Sequence, residues 1–180
     1  MWNTLEREQV VVKITQKDYK NFSDIASKTS SVKPFQNDTP RKQKQRVKKA
    51  TSDGWSAFSY FCVSYFPHIF KLDFADAHKE MFEITEKYNG VTSITGFRGL
   101  GKTVLMGVVY PIWKIIKGER YVIHTAADAD LAEERTAFTY NELTQNKRLQ
   151  LDFDGLSPVD RDESDFYLQN KCRIRARGKK

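Results

Sequence analysis

Gly96-Phe97-Arg98-Gly99-Leu100-Gly101-Lys102-Thr103 reads G-x-x-x-x-G-K-T and stands between a β-branched run and a long apolar segment. Glycines at this spacing let a tight loop turn successive backbone N–H groups toward one anion. A helix starting at the last glycine adds the positive end of its dipole. In such a loop the lysine reaches the β- and γ-phosphates of a nucleoside triphosphate, and the next hydroxyl holds Mg²⁺. Gly96 to Thr103 is therefore the expected nucleotide site, with Lys102 as the phosphate-binding cation and Thr103 as the magnesium ligand. The implied cofactors are ATP and Mg²⁺.

The flanks extend this expectation to the fold. Val91-Thr92-Ser93-Ile94-Thr95 follows the turn signal Asn89-Gly90 and predicts a short strand entering the loop. Val104, Leu105, Val108, Val109, Ile112, Trp113, Ile115 and Ile116 predict a buried helix that stops at Gly118, with Pro111 as a kink point. A second strand is expected over residues 120–125. A helix follows whose first turns carry Asp128, Asp130, Glu133 and Glu134, acids that suit the N-terminal end of the macrodipole. Strand, loop, helix, strand, helix is the opening of an α/β fold: a P-loop NTPase (RecA-like) parallel sheet flanked by helices, incomplete at the C-terminus.

The 180 residues leave room for one domain, and 39% hydrophobic with 29% charged residues is ordinary composition. The longest apolar stretch is too short to span a membrane, and the first residues lack the apolar core of a secretory signal, so a cytosolic location is expected. Cys62 and Cys172 are isolated and read as small buried hydrophobes. The formal net charge of +7 is concentrated, with Arg41, Lys42, Lys44, Arg46, Lys48 and Lys49 close together. That cluster has two readings, a contact for nucleic-acid phosphate or a solvated linker, since residues 27–49 are poor in apolar side chains. Only residues 10–14 before it resemble a strand. Residues 1–50 are thus expected as a flexible basic arm, with the ATPase segment in residues 51–180.

Trp55, Phe58, Tyr60, Phe61, Tyr65, Phe66 and Phe70 form an aromatic-rich stretch, expected as a helix packed on the sheet; base stacking is the alternative. A helix over residues 75–88 carries His78 beside Ala77 and Met81, a position where histidine is usually structural. A strand is expected from Phe166 through Ile174, with Arg173, Arg175 and Arg177 alternating onto one face. The acids Asp152, Asp154, Asp160, Asp162, Glu163 and Asp165 break the register of a calcium loop and read as a solvated connection that balances nearby arginines.

Taken in order, Trp55, Phe58, Tyr65-Phe66-Pro67-His68, His78, Glu80-Met81-Phe82, the glycine loop, Tyr110-Pro111-Ile112-Trp113, Tyr121-Val122-Ile123, Ala132-Glu133 and Arg173-Ile174-Arg175-Ala176-Arg177-Gly178 resemble the large terminase subunit of tailed bacteriophages. The resemblance covers roughly residues 51–178. It implies the ATP-binding segment of a DNA-packaging motor that couples hydrolysis to DNA translocation. The implied partners are double-stranded DNA, the portal protein and the small terminase subunit. It further implies a homo-oligomeric ring and a location in the bacterial host cytoplasm, transiently at the procapsid portal. Lys102 and Thr103 match the family's phosphate and magnesium positions. Arg98 matches an arginine carried inside the terminase loop, where a guanidinium could clamp charge developing on the γ-phosphate, so Arg98 and Lys102 are the candidate catalytic residues.

The chain departs from the family in lacking four apolar residues that run into Asp-Glu, the pair that organises Mg²⁺ and the attacking water. The carboxylates of the family's nuclease domain are missing too. Little turnover is expected from this segment. Two other readings stay open: a different nucleotide-driven enzyme, helicase-like or kinase, and a non-catalytic remnant that binds nucleic acid or portal.

Overall fold

The computed structural model describes residues 28–87, 91–97 and 99–178. After a 3₁₀ turn at Thr29–Ser31 come helices α1 Pro40–Thr51, α2 Trp55–Tyr65 and α3 Asp76–Lys87. The glycine loop then leads into one helical run in three consecutive pieces: α4 Lys102–Val104, a π-helical turn Leu105–Val109 and α5 Tyr110–Ile116. Strand β1 Tyr121–Ala126, helices α6 Ala129–Gln145 and α7 Lys147–Asp152, and strands β2 Asp165–Tyr167 and β3 Arg173–Gly178 complete the order.

The RecA-like parallel sheet expected from the sequence is not what forms. The described residues are mostly helical, and among them the strands form a three-stranded mixed sheet of order β1-β3-β2. β1 and β3 run parallel, Tyr121 opposite Arg173 through Ala126 opposite Gly178, joined by a crossover through α6; β2 is antiparallel to β3. Residues 91–95 belong to no strand. Their exposure alternates as a strand's would, with Ile94 against the core and Val91 fully exposed, but among the described residues no neighbouring strand takes up their N–H and C=O groups. β-branched residues favour a pleated surface only where a ladder exists to receive them. The segment expected as one strand over 166–174 folds instead as a hairpin. Lys171 adopts φ +68°, its N–H donates to Leu168 O (2.8 Å), and Leu168 N–H donates to Cys172 O (2.8 Å).

The aromatic helix α2 packs on other helices rather than on the sheet. Phe58 stacks on Phe82 with centroids 4.9 Å apart, both rings lean on Trp113 (5.3 and 5.5 Å), and Trp55 meets Phe74 edge-on (5.2 Å). Aromatic pairs at these separations add to the burial of large rings, which dominates core energetics. Cys62 and Cys172 are buried free thiols. Pro111 does not break its helix. The preceding turn widens to a π turn, in which Tyr110 N–H donates to Leu105 O, an adjustment often seen where a proline interrupts the ladder.

Part of the segment expected as an arm, residues 40–50, is helical. Thr39 caps α1 and Pro40 starts it, a favoured combination at helix N-termini. Arg46 explains why this run is held in place. Its guanidinium grips Asp152 (2.6 and 2.7 Å) and Asp38 (3.0 and 2.8 Å) and lies 3.6 Å over the Phe35 ring. Asp152 also accepts a hydrogen bond from Tyr65 OH (2.7 Å), and burial pushes that phenol's pKa well up. The strand-like residues 10–14 lie outside the described residues.

A second polar cluster joins the helical layer to the sheet layer. Glu142 of α6 is fully buried, and its carboxylate accepts from Thr29 Oγ1 (2.8 Å) and Asn146 Nδ2 (3.0 Å) and faces His68 Nε2 (2.7 Å). Asn146 Nδ2 also donates to Tyr65 O, while its Oδ1 caps α7. Removing one member of a buried charged network leaves the rest desolvated and unpaired. Glu142→Ala is therefore expected to lower the unfolding free energy by roughly 3 kcal/mol in urea denaturation; a loss below ~1 kcal/mol would contradict this.

His124 of β1 faces α6. Thr136 Oγ1 donates to Ala132 O (2.8 Å), so it accepts from His124 Nδ1–H (3.0 Å), which leaves Nε2 bare, buried and without a partner. Burial, aided by Arg135, pushes the imidazole pKa from 6.5 down to about 4. The folded value lies below the unfolded one, so this contribution to stability is complete above pH 6.5 and is lost as pH falls toward 4. Between those limits the unfolding free energy should drop by roughly 3 kcal/mol, and His124→Gln should flatten that part of the pH–stability curve.

Candidate functional site

The glycine loop owes its shape to two left-handed positions. Gly99 has φ +89° and Gly101 φ +71°, conformations that cost any residue with a Cβ. Gly101 is the N-cap of α4, and its carbonyl accepts the first helical bond from Leu105 N–H (2.9 Å). The Lys102 ammonium folds back over the loop and donates to Gly96 O (2.8 Å) and Phe97 O (2.6 Å). A Cβ on Gly96 would press on Leu100 Cδ2 at 3.1 Å while meeting Lys102 Cδ at an ordinary 3.5 Å, so the bare backbone at Gly96 is what leaves room for the Leu100 side chain. Thr103 is half-buried in the first turn of the helix, and the Phe97 ring is exposed.

The loop is fastened from outside by a residue whose partner could not be read from sequence. Ala75 N–H donates to His78 Nδ1 (2.9 Å), which puts the ring proton on Nε2, and that N–H donates to Leu100 O (2.9 Å). The Leu100 side chain is buried in the core cluster. The middle of the loop is thus pinned by an apolar anchor on one side and by an imidazole from the start of α3 on the other. That the other nitrogen reaches the loop carries no sequence signal.

Of the expected site residues, Gly96, Phe97, Gly99, Leu100, Gly101 and Lys102 are brought together as a loop at a helix start, with Thr103 following. Arg98 lies outside the described residues. A cation such as Lys102 at a helix N-terminus is disfavoured by the dipole unless an anion joins it. The donor set, loop amides plus an ammonium presently satisfied by carbonyls, fits a phosphate group that would take over those contacts. No acidic partner comes from the end of β1, where Asp128 caps α6 by accepting from Leu131 N–H (2.8 Å).

The carboxylates expected as a solvated connection are in part committed to the hairpin. Asp165 holds Arg173 through two bonds of 2.8 Å and pairs with Arg175 at 2.9 Å, which keeps its carboxyl below the usual range. Asp162 caps Ser164, and Asp160 accepts from Tyr167 N–H (3.1 Å). An open depression lined by Arg120, Gln169, Asn170 and Lys171 lies at the hairpin turn, and Arg120 donates there to Asn170 O. Among the described residues no helix is long and apolar enough to cross a membrane. No protein-family model, curated protein or solved structure matches this chain.

If the His78 bond fixes the loop, His78→Ala should free it. Hydrogen exchange at the Leu105 amide, whose bond to Gly101 O joins the loop to the helix, is expected to accelerate about tenfold or more, while α6 amides stay unchanged. Equal acceleration in both places would mean that His78 supports the fold at large rather than the loop.

Proposed function

We propose that this chain binds the triphosphate of a magnesium nucleotide through residues 96–103, as the ATP-binding segment of a DNA-packaging motor of the terminase type. The observation that carries the nucleotide reading is the Lys102 ammonium held over a glycine loop at a helix start, on two carbonyls that a phosphate can replace. The motor assignment and its partners, double-stranded DNA and the portal, rest on the order of sequence features and not on the sheet. In this reading Lys102 neutralises phosphate charge, the loop amides orient the phosphate oxygens, and Thr103 is the hydroxyl available to Mg²⁺. Arg98 would add a second cation beside them. The metal supplies charge neutralisation when bound; the chain's own task is to position the phosphates.

Hydrolysis needs a group that orients water, and neither β1 nor β3 ends in an acidic pair. Titration with a fluorescent ATP analogue should give saturable, magnesium-dependent binding that Lys102→Ala weakens by roughly tenfold to a hundredfold, the equivalent of losing one or two charged hydrogen bonds. Phosphate release is expected to stay at background. Absence of saturable binding by folded protein would refute the nucleotide site, and steady release abolished by Lys102→Ala would refute the low turnover.

A further inference from the structure

We propose that the outward face of α1 is a docking surface for the phosphate backbone of double-stranded nucleic acid. This rests on α1 alone and stands whether or not the glycine loop binds nucleotide. The helix sequence PRKQKQRVKKAT contains no acid. Arg41, Lys42, Lys44, Gln45, Lys48 and Lys49 are all exposed. Arg41, Lys44 and Lys48 follow the i, i+3, i+7 spacing that puts side chains in one row.

The inner side of α1 anchors the helix without help from that row. Ala50 is fully buried, and its carbonyl accepts from Trp113 Nε1–H (2.8 Å). Val47 packs against the core, and Gln43 Nε2 donates to Leu151 O (2.7 Å). Arg46 is the cation of this run that the fold uses, gripped by Asp38 and Asp152. Lys42 donates to Asn37 O near Asp38, which Arg46 already pairs, and Lys49 sits 4.1 Å over the Tyr60 ring. Arg41, Lys44 and Lys48 have no carboxylate partner among the described residues.

Helix physics alone would not choose this arrangement. Arg41 and Lys42 stand in the first turn, where the macrodipole repels cations, and Lys44 and Lys48 are a like-charged i, i+4 pair. A rigid helix whose exposed charges work against its own stability is complementary to a polyanion. The row offers no apolar side chain to enter a lipid interface and no aromatic ring for the stacking that single-strand binders use. What remains is contact with phosphate, indifferent to sequence. Over the ~18 Å length of such a helix a duplex presents on the order of ten charges.

Fluorescence anisotropy with a labelled random-sequence DNA duplex tests this on the full chain. Affinity is expected to fall about a hundredfold between ~50 and ~200 mM salt, as for a protein that releases about four counterions. The triple variant Arg41→Glu, Lys44→Glu, Lys48→Glu should abolish binding while melting no lower than the parent, because it relieves the repulsion at the helix start. The milder pair Lys44→Gln and Lys48→Gln should reduce the slope of log affinity against log salt by about 2. Lys79→Glu on α3, an equal kind of charge change elsewhere, should leave binding within about threefold, and so should Lys102→Ala, whose own effect falls on nucleotide. Duplex binding that survives the α1 variants, binding insensitive to salt, no binding at ~50 mM salt, or a preference for anionic vesicles over duplex would each overturn the assignment.

Discussion

A carboxylate with no access to water holds the two layers of this molecule together. Glu142 sits on the helix that covers the sheet, yet its partners come from the turn at Thr29, the corner at His68 and the helix junction at Asn146. A buried charge costs several kcal/mol to desolvate, and that cost is offset only when every lone pair finds a donor. The network is therefore geometrically exacting. Apolar packing around Phe58, Phe82 and Trp113 supplies most of the driving force, but hydrophobic burial is non-directional and tolerates sliding. Glu142 and the Arg46 pairs with Asp38 and Asp152 are directional, and they fix how α6 and α1 sit against the aromatic cluster.

That frame decides how firmly the glycine loop is presented. The loop has no strand entering it, so it does not inherit rigidity from a sheet. It is instead held at Leu100, whose side chain enters the core and whose carbonyl receives the His78 proton. Two glycines in the left-handed region let the backbone turn, and the Lys102 ammonium closes it. A phosphate arriving at this loop would compete with the Gly96 and Phe97 carbonyls for the same ammonium, so part of the binding energy would go into releasing Lys102.

Features encoded locally were legible from residues alone. The glycine loop, the β1 strand around Val122, the α6 helix with acids at its start, and the buried apolar run that ends in α5 depend on spacing within one or two turns. The sheet was not legible in the same way. Residues 91–95 carry the same β-branched composition as β1, and nothing within them says that no neighbour will pair with them. The hairpin at Lys171 turned on a single left-handed residue inside a run that otherwise alternates. Glu142 and Arg46 were hidden for a different reason. One reads as an ordinary helix-surface acid and the other as one cation among many, and each has a partner far away in sequence, Asp152 for Arg46 and Thr29 for Glu142.

The basic run shows how an average can conceal two populations. Taken by composition, residues 41–49 form a solvated stretch of like charges. In the fold they divide by helix face: Arg46 and Val47 turn inward to acids and apolar side chains, while Arg41, Lys44 and Lys48 are exposed and find no acid among the described residues. The inward set explains why the segment is a helix despite its poor apolar content. It also means that the outward charges are presented on a fixed support, which lowers the ordering cost of meeting an extended anion compared with a disordered tail of equal charge.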